Sequence, residues 1–307
     1  MVTEDSGTFD RETLTLLKAL MTETYIHTPR NKEVWEWLLD LTFQVNHDSP
    51  KPKVMGCLYT GPPHSGKTTS TNQFKKAYIE NIPNAKETDI ILFQIPSRAR
   101  LKGVMVKLAQ QIKIPGIPEN PKDTYPTYIL VDKVAKKLWN DNTKLLIIDE
   151  FQLLFELSGE SRVEILSGFN DLINEAQIPI VLVGVEGVDR ILDLENYEDQ
   201  GNLKGTFCSR FPEFKLLPWN DAEEDAFIEF VYTVYSGCQI QLDDEEVPFL
   251  DDLHVRERII EMTEGLTGKI IYLLKCTARN MIRNKIEGQM SLDLLEEAYK
   301  QIQAKGW

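Results

Sequence analysis

The sequence predicts an α/β fold, in which a parallel sheet lies between helices, followed by a small all-helical domain. Two unbroken apolar runs, within Lys144–Glu150 and Ile178–Gly184, are typical of strands covered on both faces of a parallel sheet. Segments with helical periodicity separate such runs, which predicts an α/β sandwich. From Trp219 onward helical segments follow one another with no strand between them. We therefore divide the chain into an N-terminal helical arm, an α/β core and a helical domain, at residues 1–20, 21–218 and 219–307.

The individual elements follow from the spacing of the apolar residues. A short helix is expected around Leu14–Leu20, and an amphipathic helix from Val34 to Leu41, where apolar side chains recur with a period of 3.6 residues. In the core, strands are expected in the run leading to Gly61 and at 90–95, 144–150, 178–184 and 213–217, with helices at about 67–80, 101–112, 126–140 and 160–176. The last domain is expected to hold helices at about 221–236, 255–264, 267–286 and 291–304.

Composition and cysteine usage argue against several classes of protein. With 307 residues, 42% hydrophobic and 27% charged, the chain has the composition of a globular protein. Its net charge of −14 argues against a generally adhesive nucleic-acid binder, although DNA binding depends on where the basic residues lie. The start of the chain lacks the features of a signal peptide, and a cytoplasmic protein is expected. A zinc site or disulfide framework is not expected, because no C-x-x-C pair occurs among Cys57, Cys208, Cys238 and Cys276.

A P-loop pattern lies between the first predicted core strand and the helix that follows it. The pattern is Gly61-x-x-x-x-Gly66-Lys67-Thr68. The glycines allow backbone conformations that turn N–H groups toward phosphates, and the helix N-terminus presents positive charge to the same place. Lys67 can reach the β- and γ-phosphates, and the Thr68 hydroxyl can ligate Mg²⁺. The predicted phosphate-binding residues are Gly61, Pro62, Pro63, His64, Ser65, Gly66, Lys67, Thr68 and Thr69.

Two carboxylates end the strand that follows the predicted helix at 126–140. Asp149 is suited to hold Mg²⁺ through its water shell, and Glu150 to orient and deprotonate an attacking water. An ordinary acidic strand end would look the same by itself. The complete P-loop upstream favours the catalytic interpretation, with Thr68 and Asp149 as the metal-binding residues.

Residues 90–118 carry a net positive charge within this acidic chain, because they hold five basic residues and no acidic one. Lysine, arginine and serine side chains at the start of a helix can contact DNA phosphates independently of base sequence. A solvated basic helix face is the alternative. The predicted DNA-binding residues are Ser97, Arg98, Arg100, Lys102 and Lys107. A second basic face, expected to be solvated or else to bind a partner, consists of Lys275, Arg279 and Arg283.

Together these motifs resemble the AAA+ ATPase superfamily and, more narrowly, the TnsC/TniB family of transposition regulators of CRISPR-associated and related transposons. The resemblance extends over about residues 22–290. Besides the P-loop, it rests on Leu145–Glu150, Ile180–Gly184, Ser209–Pro212 with Leu217–Trp219, Thr263–Lys269 and the segment Tyr25–Arg30. It implies an ATP-binding core followed by a helical lid.

The resemblance also implies roles for individual residues. Arg210 matches the arginine finger that reaches the ATP of a neighbouring subunit, with a surface ion pair as the alternative. Lys269 occupies the position of a nucleotide-sensing arginine, and Val185 that of a polar sensor. Valine cannot hydrogen-bond to water or phosphate, so the sensor function is either weakened or taken over by Glu186. Together the two departures imply slow hydrolysis. Residues that border adenine in the family match Tyr25, Ile26 and Pro29, although core packing explains them equally well.

The sequence therefore predicts an ATPase that assembles with ATP into a ring or filament on duplex DNA and links a target-selection protein of the TniQ type to a transposase. The expected catalytic residues are Lys67, Glu150 and Arg210, and the expected cofactors are ATP and Mg²⁺. Three alternatives stay open: an AAA+ protein of the replication-initiator or helicase-loader type, an ATP-gated DNA scaffold that does not hydrolyse ATP, and a signalling NTPase that does not bind DNA, against which the basic stretch at 97–113 argues.

Overall fold

The computed structural model describes residues 11–21, 29–45, 55–97, 100–118, 125–185, 211–238 and 248–306. These residues form two compact units. The core unit spans residues 30–217, and the helical unit contains the described parts of residues 1–29 and 218–307. Cys208, Arg98 and Arg210 lie outside the described residues, as do Tyr25, Ile26 and Glu186.

The core unit contains a five-stranded parallel sheet with the strand order β2-β3-β4-β1-β5. The parallel sheet and the predicted strands are confirmed, although the fifth strand is shorter than predicted. The strands are β1 (Cys57–Thr60), β2 (Ile90–Gln94), β3 (Leu145–Asp149), β4 (Ile180–Gly184) and β5 (Glu213–Lys215).

Helices cover both faces of this sheet because successive residues of its central strands point to opposite sides. Ile148 and Leu182 belong to one apolar core, whereas Ile147 and Val183 belong to the other. The first core also contains residues of α4 (Leu101–Gln111), α5 (Thr127–Asn140) and α6 (Gly159–Ala176). The second contains residues of α2 (Pro29–Phe43) and α3 (Lys67–Asn81).

The helical unit has an apolar core of its own. Its helices are α1 (Arg11–Met21), α7 (Asp225–Gly237), α8 (Pro248–Asp251), α9 (Leu253–Thr263), α10 (Thr267–Asn284) and α11 (Leu292–Gln303). Leu20 of α1 is buried in this core, and the Trp219 ring stacks on Phe230 with 5.4 Å between ring centroids. A helix of the predicted N-terminal arm and the predicted helical domain thus share one core. No described helix is both long and apolar enough to cross a membrane.

Candidate functional site

The P-loop turns between β1 and α3, and its two glycines serve different purposes. A Cβ atom on Gly61 would lie 2.6 Å from the Leu216 carbonyl oxygen, so this position has room only for hydrogen. Gly66 has φ +93°, in the left-handed region that favours glycine, and no other atom lies near its Cβ position. The two glycines are therefore required for different reasons: Gly61 permits close approach of the backbone at Leu216, and Gly66 permits a left-handed turn.

Lys67 is buried and folded back onto the loop that precedes it. Its ammonium nitrogen donates to the carbonyl oxygens of Gly61 and Pro62, each at 2.8 Å, and to Ser65 Oγ at 3.0 Å. These acceptors fix the ammonium at the base of the loop. A phosphate that bound here would compete with them for the three N–H donors of the ammonium group.

Thr68 and Asp149 lie side by side, although they come from different elements. The Thr68 hydroxyl, in the first turn of α3, donates to Asp149 Oδ2 at 2.6 Å. The other carboxylate oxygen, Oδ1, accepts the Glu150 backbone N–H at 2.8 Å, which fixes the carboxylate plane. Oxygen ligands are those that Mg²⁺ prefers, and Mg²⁺ at phosphates needs only one or two of them from protein. The arrangement therefore fits a magnesium site.

Glu150 occupies a strained backbone position at the end of β3. Its φ of 59° is in the left-handed region, which is costly for a residue with a side chain. The chain then enters a short 3₁₀ helix, Phe151–Glu156, whose Gln152 side-chain amide donates to Glu150 Oε2. Sequence reasoning identified Glu150 and missed Gln152.

These residues line one cleft of about 410 Å³. The cleft lies at the end of the sheet where β1, β3 and β4 have their carboxyl ends, as expected for ligand sites of open α/β folds. Val185, which follows β4, also lines the cleft, and its side chain has no hydrogen-bonding group. The lining residues are Pro63, His64, Gly66, Lys67, Thr68, Thr69, Asp149, Glu150, Gln152 and Val185.

Two flanking elements pack against this loop and helix. In α2, the Trp35 indole N–H lies 3.2 Å from both the carbonyl oxygen and Oγ of Ser70 in α3. On the other side, a Cβ atom on Gly56 would lie 2.3 Å from Cε1 of the buried Phe211 ring. Phe211 directly follows the predicted arginine finger, Arg210. The chain is therefore held beside β1 from Phe211 onward.

Pro29, one of the predicted adenine-bordering residues, begins α2.

The remaining predicted site residues belong to other elements. Lys269 belongs to the helical unit, where its ammonium group forms an ion pair with Glu264 at 2.6 Å. At the predicted DNA-binding stretch, Ser97, Arg100 and Lys107 are exposed and Lys102 is half-buried. The loop residues Ser97 and Arg100 thus lie in contact with solvent just before α4.

A family model described as "Bacterial TniB protein" matches residues 17–221 of this sequence. The chain belongs to the TniB family. The match includes the P-loop, Asp149, Glu150 and the predicted finger Arg210. A search of curated protein sequences found no match.

Solved structures of AAA+ proteins resemble this TniB-family chain. Cdc6p from Pyrobaculum aerophilum has a TM-score of 0.61 at 13% identity, covering 93% of this chain and 70% of its own. The ORC2 protein of Aeropyrum pernix in ADPNP–ADP complexes has a TM-score of 0.60 at 16% identity, covering 94% and 72%. The ORC1 protein of the same organism, in complex with DNA, has a TM-score of 0.57 at 13% identity, covering 93% and 69%. At these identities the likeness establishes the AAA+ fold.

Proposed function

We propose that this TniB-family protein is an ATP-dependent regulator of DNA transposition that assembles on duplex DNA. The proposal rests on one observation. Four side chains line a single cleft at the carboxyl edge of a parallel sheet, namely those of Lys67, Thr68, Asp149 and Glu150. In a P-loop protein these four side chains supply the parts that nucleotide binding and hydrolysis require.

Nucleotide binding would use the loop backbone first. N–H groups of the loop and the N-terminus of α3 would bind the phosphates, and Lys67 would exchange its carbonyl partners for β- and γ-phosphate oxygens. Thr68 and Asp149 would hold Mg²⁺, which neutralises phosphate charge when bound. The ADPNP–ADP complexes of the Aeropyrum pernix ORC2 protein support nucleotide binding by the same fold.

Hydrolysis would depend on Glu150 and on a second subunit. The Glu150 carboxylate would accept a proton from water as that water attacks the γ-phosphorus atom. Arg210 of a neighbouring subunit would stabilise the charge that develops on the transferred phosphoryl group. Because that arginine reaches the site only in an assembly, ATP occupancy and assembly would be coupled.

DNA binding is proposed for the basic stretch before and within α4. Ser97, Arg100 and Lys107 are exposed there, and residues 90–118 contain no carboxylate. The DNA complex of the Aeropyrum pernix ORC1 protein supports DNA binding by this fold. The assembly on DNA would then recruit a transposase and a target-selecting protein of the TniQ type, and hydrolysis would disassemble it.

The proposal is tested by electron microscopy and phosphate release with the wild type, Lys67→Ala and Glu150→Gln, each with ATP and Mg²⁺, with and without duplex DNA. The wild type is expected to assemble on DNA and to release phosphate. Glu150→Gln should assemble on DNA and lose about 10²–10⁴-fold in turnover, because it removes the proton acceptor. Lys67→Ala should lose ATP-dependent assembly. Normal turnover by Glu150→Gln, or unchanged ATP affinity in Lys67→Ala, would contradict the assigned roles.

A second candidate, an ATP-gated DNA scaffold without hydrolysis, is favoured by Val185 and Lys269. Val185 puts an apolar side chain on the wall of the cleft, and Lys269 already has a carboxylate partner in Glu264. Assembly with ATP in the absence of steady-state phosphate release would identify the scaffold. Preferred binding to a replicative helicase over a transposase would instead favour a function of the initiator or loader type, whose members share this fold.

A further inference from the structure

The side chain of Gln152 is directed back to Glu150 by the shape of the chain between them. The left-handed backbone at Glu150 bends the chain sharply after β3, and the 3₁₀ helix begins at the next residue. Gln152 lies two residues beyond Glu150, and its amide nitrogen donates to Glu150 Oε2. The hydrogen bond therefore restrains the carboxylate that the proposed function requires.

The orientation of the Gln152 amide follows from its partner. An ionised carboxylate only accepts hydrogen bonds, so the nitrogen end of the amide must face Glu150. The oxygen end, Oε1, is then directed away from Glu150, is buried, and has no hydrogen-bond partner among the described residues. The nitrogen end is therefore the part of the amide that acts on Glu150.

Gln152 is the one amide side chain among the described residues that line the cleft. Glu150 lines the cleft as well, so the hydrogen bond between the two residues lies at the wall of the proposed nucleotide site.

We propose that Gln152 is a positioning residue for ATP hydrolysis, which holds the Glu150 carboxylate in place. Its amide N–H holds one oxygen of the Glu150 carboxylate, Oε2, and leaves the other oxygen to accept an O–H of the attacking water. A lone pair of the water oxygen is then directed at phosphorus. As the new P–O bond forms, the bond from the γ-phosphorus to the bridging oxygen breaks, and the water proton passes to Glu150. Gln152 gains and loses no proton. This inference rests on the proposed ATPase function.

The test measures kcat, KM and equilibrium ATP affinity for the wild type, Gln152→Met and Gln152→Glu in the full chain with Mg²⁺ and duplex DNA. Methionine keeps the length of the side chain without its polar atoms. Glutamate keeps the shape but cannot donate to Glu150. Gln152→Met is expected to lose about tenfold to 100-fold in kcat, the size of loss that misplaced reacting groups cause, with KM and ATP affinity unchanged. Gln152→Glu should also lose turnover and should bind ATP more weakly, because it adds a negative charge to the wall of the phosphate cleft.

Gln177→Met is the matched control. Gln177 also donates its amide to a nearby oxygen, that of Asn174, and also has a buried Oε1 without a partner among the described residues. It ends α6 just before the amino-terminal end of β4, at the edge of the sheet opposite the cleft. Wild-type kcat is expected for this variant.

The outcomes separate the inference from the function on which it rests. Wild-type or faster turnover in Gln152→Met would overturn the positioning role, and faster turnover would identify Gln152 as a restraint on Glu150. An equal loss in Gln177→Met, or a loss in Gln152→Met accompanied by a lower melting temperature and weaker ATP binding, would reduce Gln152 to a structural residue and overturn the role as well. Absence of phosphate release from the wild type would overturn the proposed hydrolysis, and this inference with it.

Discussion

Gly61 and Gly66 both belong to the P-loop pattern, yet different physical constraints require glycine at the two positions. At Gly61 the constraint is space, because the Leu216 carbonyl oxygen occupies the volume that a Cβ atom would need. At Gly66 the constraint is conformation, because φ is +93° while the space beside the residue is open. A backbone oxygen cannot move aside as easily as the end of a side chain. A larger side chain should therefore be worse at Gly61, but not at Gly66, where the space is open.

This difference gives an ordered prediction for alanine and asparagine at each glycine. At Gly66, alanine should lower the free energy of unfolding by about 1–2 kcal/mol, and asparagine by less, because asparagine tolerates the left-handed region. At Gly61, alanine should cost about 1–3 kcal/mol through overpacking, and the larger asparagine more. Urea unfolding of the four variants without nucleotide measures the order. The same order at both positions would contradict the assignment.

The sequence predicted Lys67, Thr68, Asp149 and Glu150 as site residues because their roles follow from residue type and spacing. The structure brings all four together in one cleft. Gln152 was not predicted as a site residue, because its contact with Glu150 depends on a left-handed turn at Glu150. Glu150 is not a glycine, and the surrounding sequence gives no sign of that conformation. The partners of Lys67 also escaped, since they are backbone carbonyls and carry no sequence signal.

Helices of three or more turns in the core were predicted well, and the shortest helices were not predicted. The helices from α3 to α6 begin and end within a few residues of the predicted positions. The four-residue helix α8 and the 3₁₀ helix Phe151–Glu156 are too short to show a period. α8 is held by a contact that no local pattern reveals, a buried guanidinium group from α9.

That group belongs to Arg256, which connects three segments of the helical unit. Its Nη1 atom donates to the carbonyl oxygens of Leu250 and Asp251 at 2.7 and 3.0 Å, and its Nε to that of Ala222 at 2.8 Å. The planar fork of arginine matches this set of acceptors, and lysine would not. Arg256 therefore fixes α8 and the segment before α7 against α9.

Arg256→Met should destabilise the helical unit by at least about 2 kcal/mol, because it leaves buried carbonyl oxygens without donors. Thermal unfolding followed by far-ultraviolet circular dichroism measures the loss. The matched control is Arg258→Met, two residues on, where the guanidinium group is partly exposed and pairs with Glu261 and Glu296. Solvent screens those pairs, so the control should lose less stability. An equal loss in both variants would remove Arg256 as an anchor.

At the scale of the whole molecule, the distribution of charge matters more than its total. Residues 219–307 hold 18 acidic and 9 basic residues, which accounts for most of the net charge of −14. Residues 90–118 hold five basic residues and no acidic one, and the described loop residues Ser97 and Arg100 are exposed. The sequence therefore predicted a place for DNA contact that the net charge alone would not have indicated. The number of subunits in an assembly could not be predicted, because it depends on the geometry between chains.

A comparison of two basic clusters with equal charge tests whether location decides DNA binding. Replacing Arg98, Arg100 and Lys102 together by glutamine should weaken binding to duplex DNA and lower the slope of log K against log salt by up to about 3, roughly one for each lost phosphate contact. The matched variant replaces Lys275, Arg279 and Arg283 by glutamine, which changes the net charge equally. Fluorescence anisotropy between low and moderate salt measures both slopes.

The second cluster should leave the salt slope unchanged, because its residues lie in α10 of the acidic helical unit and are not part of the stretch proposed to contact DNA phosphates. If both variants lose the same slope, general charge repulsion explains the effect and the stretch before α4 has no special role. If only the Lys275 cluster loses slope, DNA contacts the helical unit instead. A loss confined to Arg98, Arg100 and Lys102 would place the DNA backbone beside the start of α4.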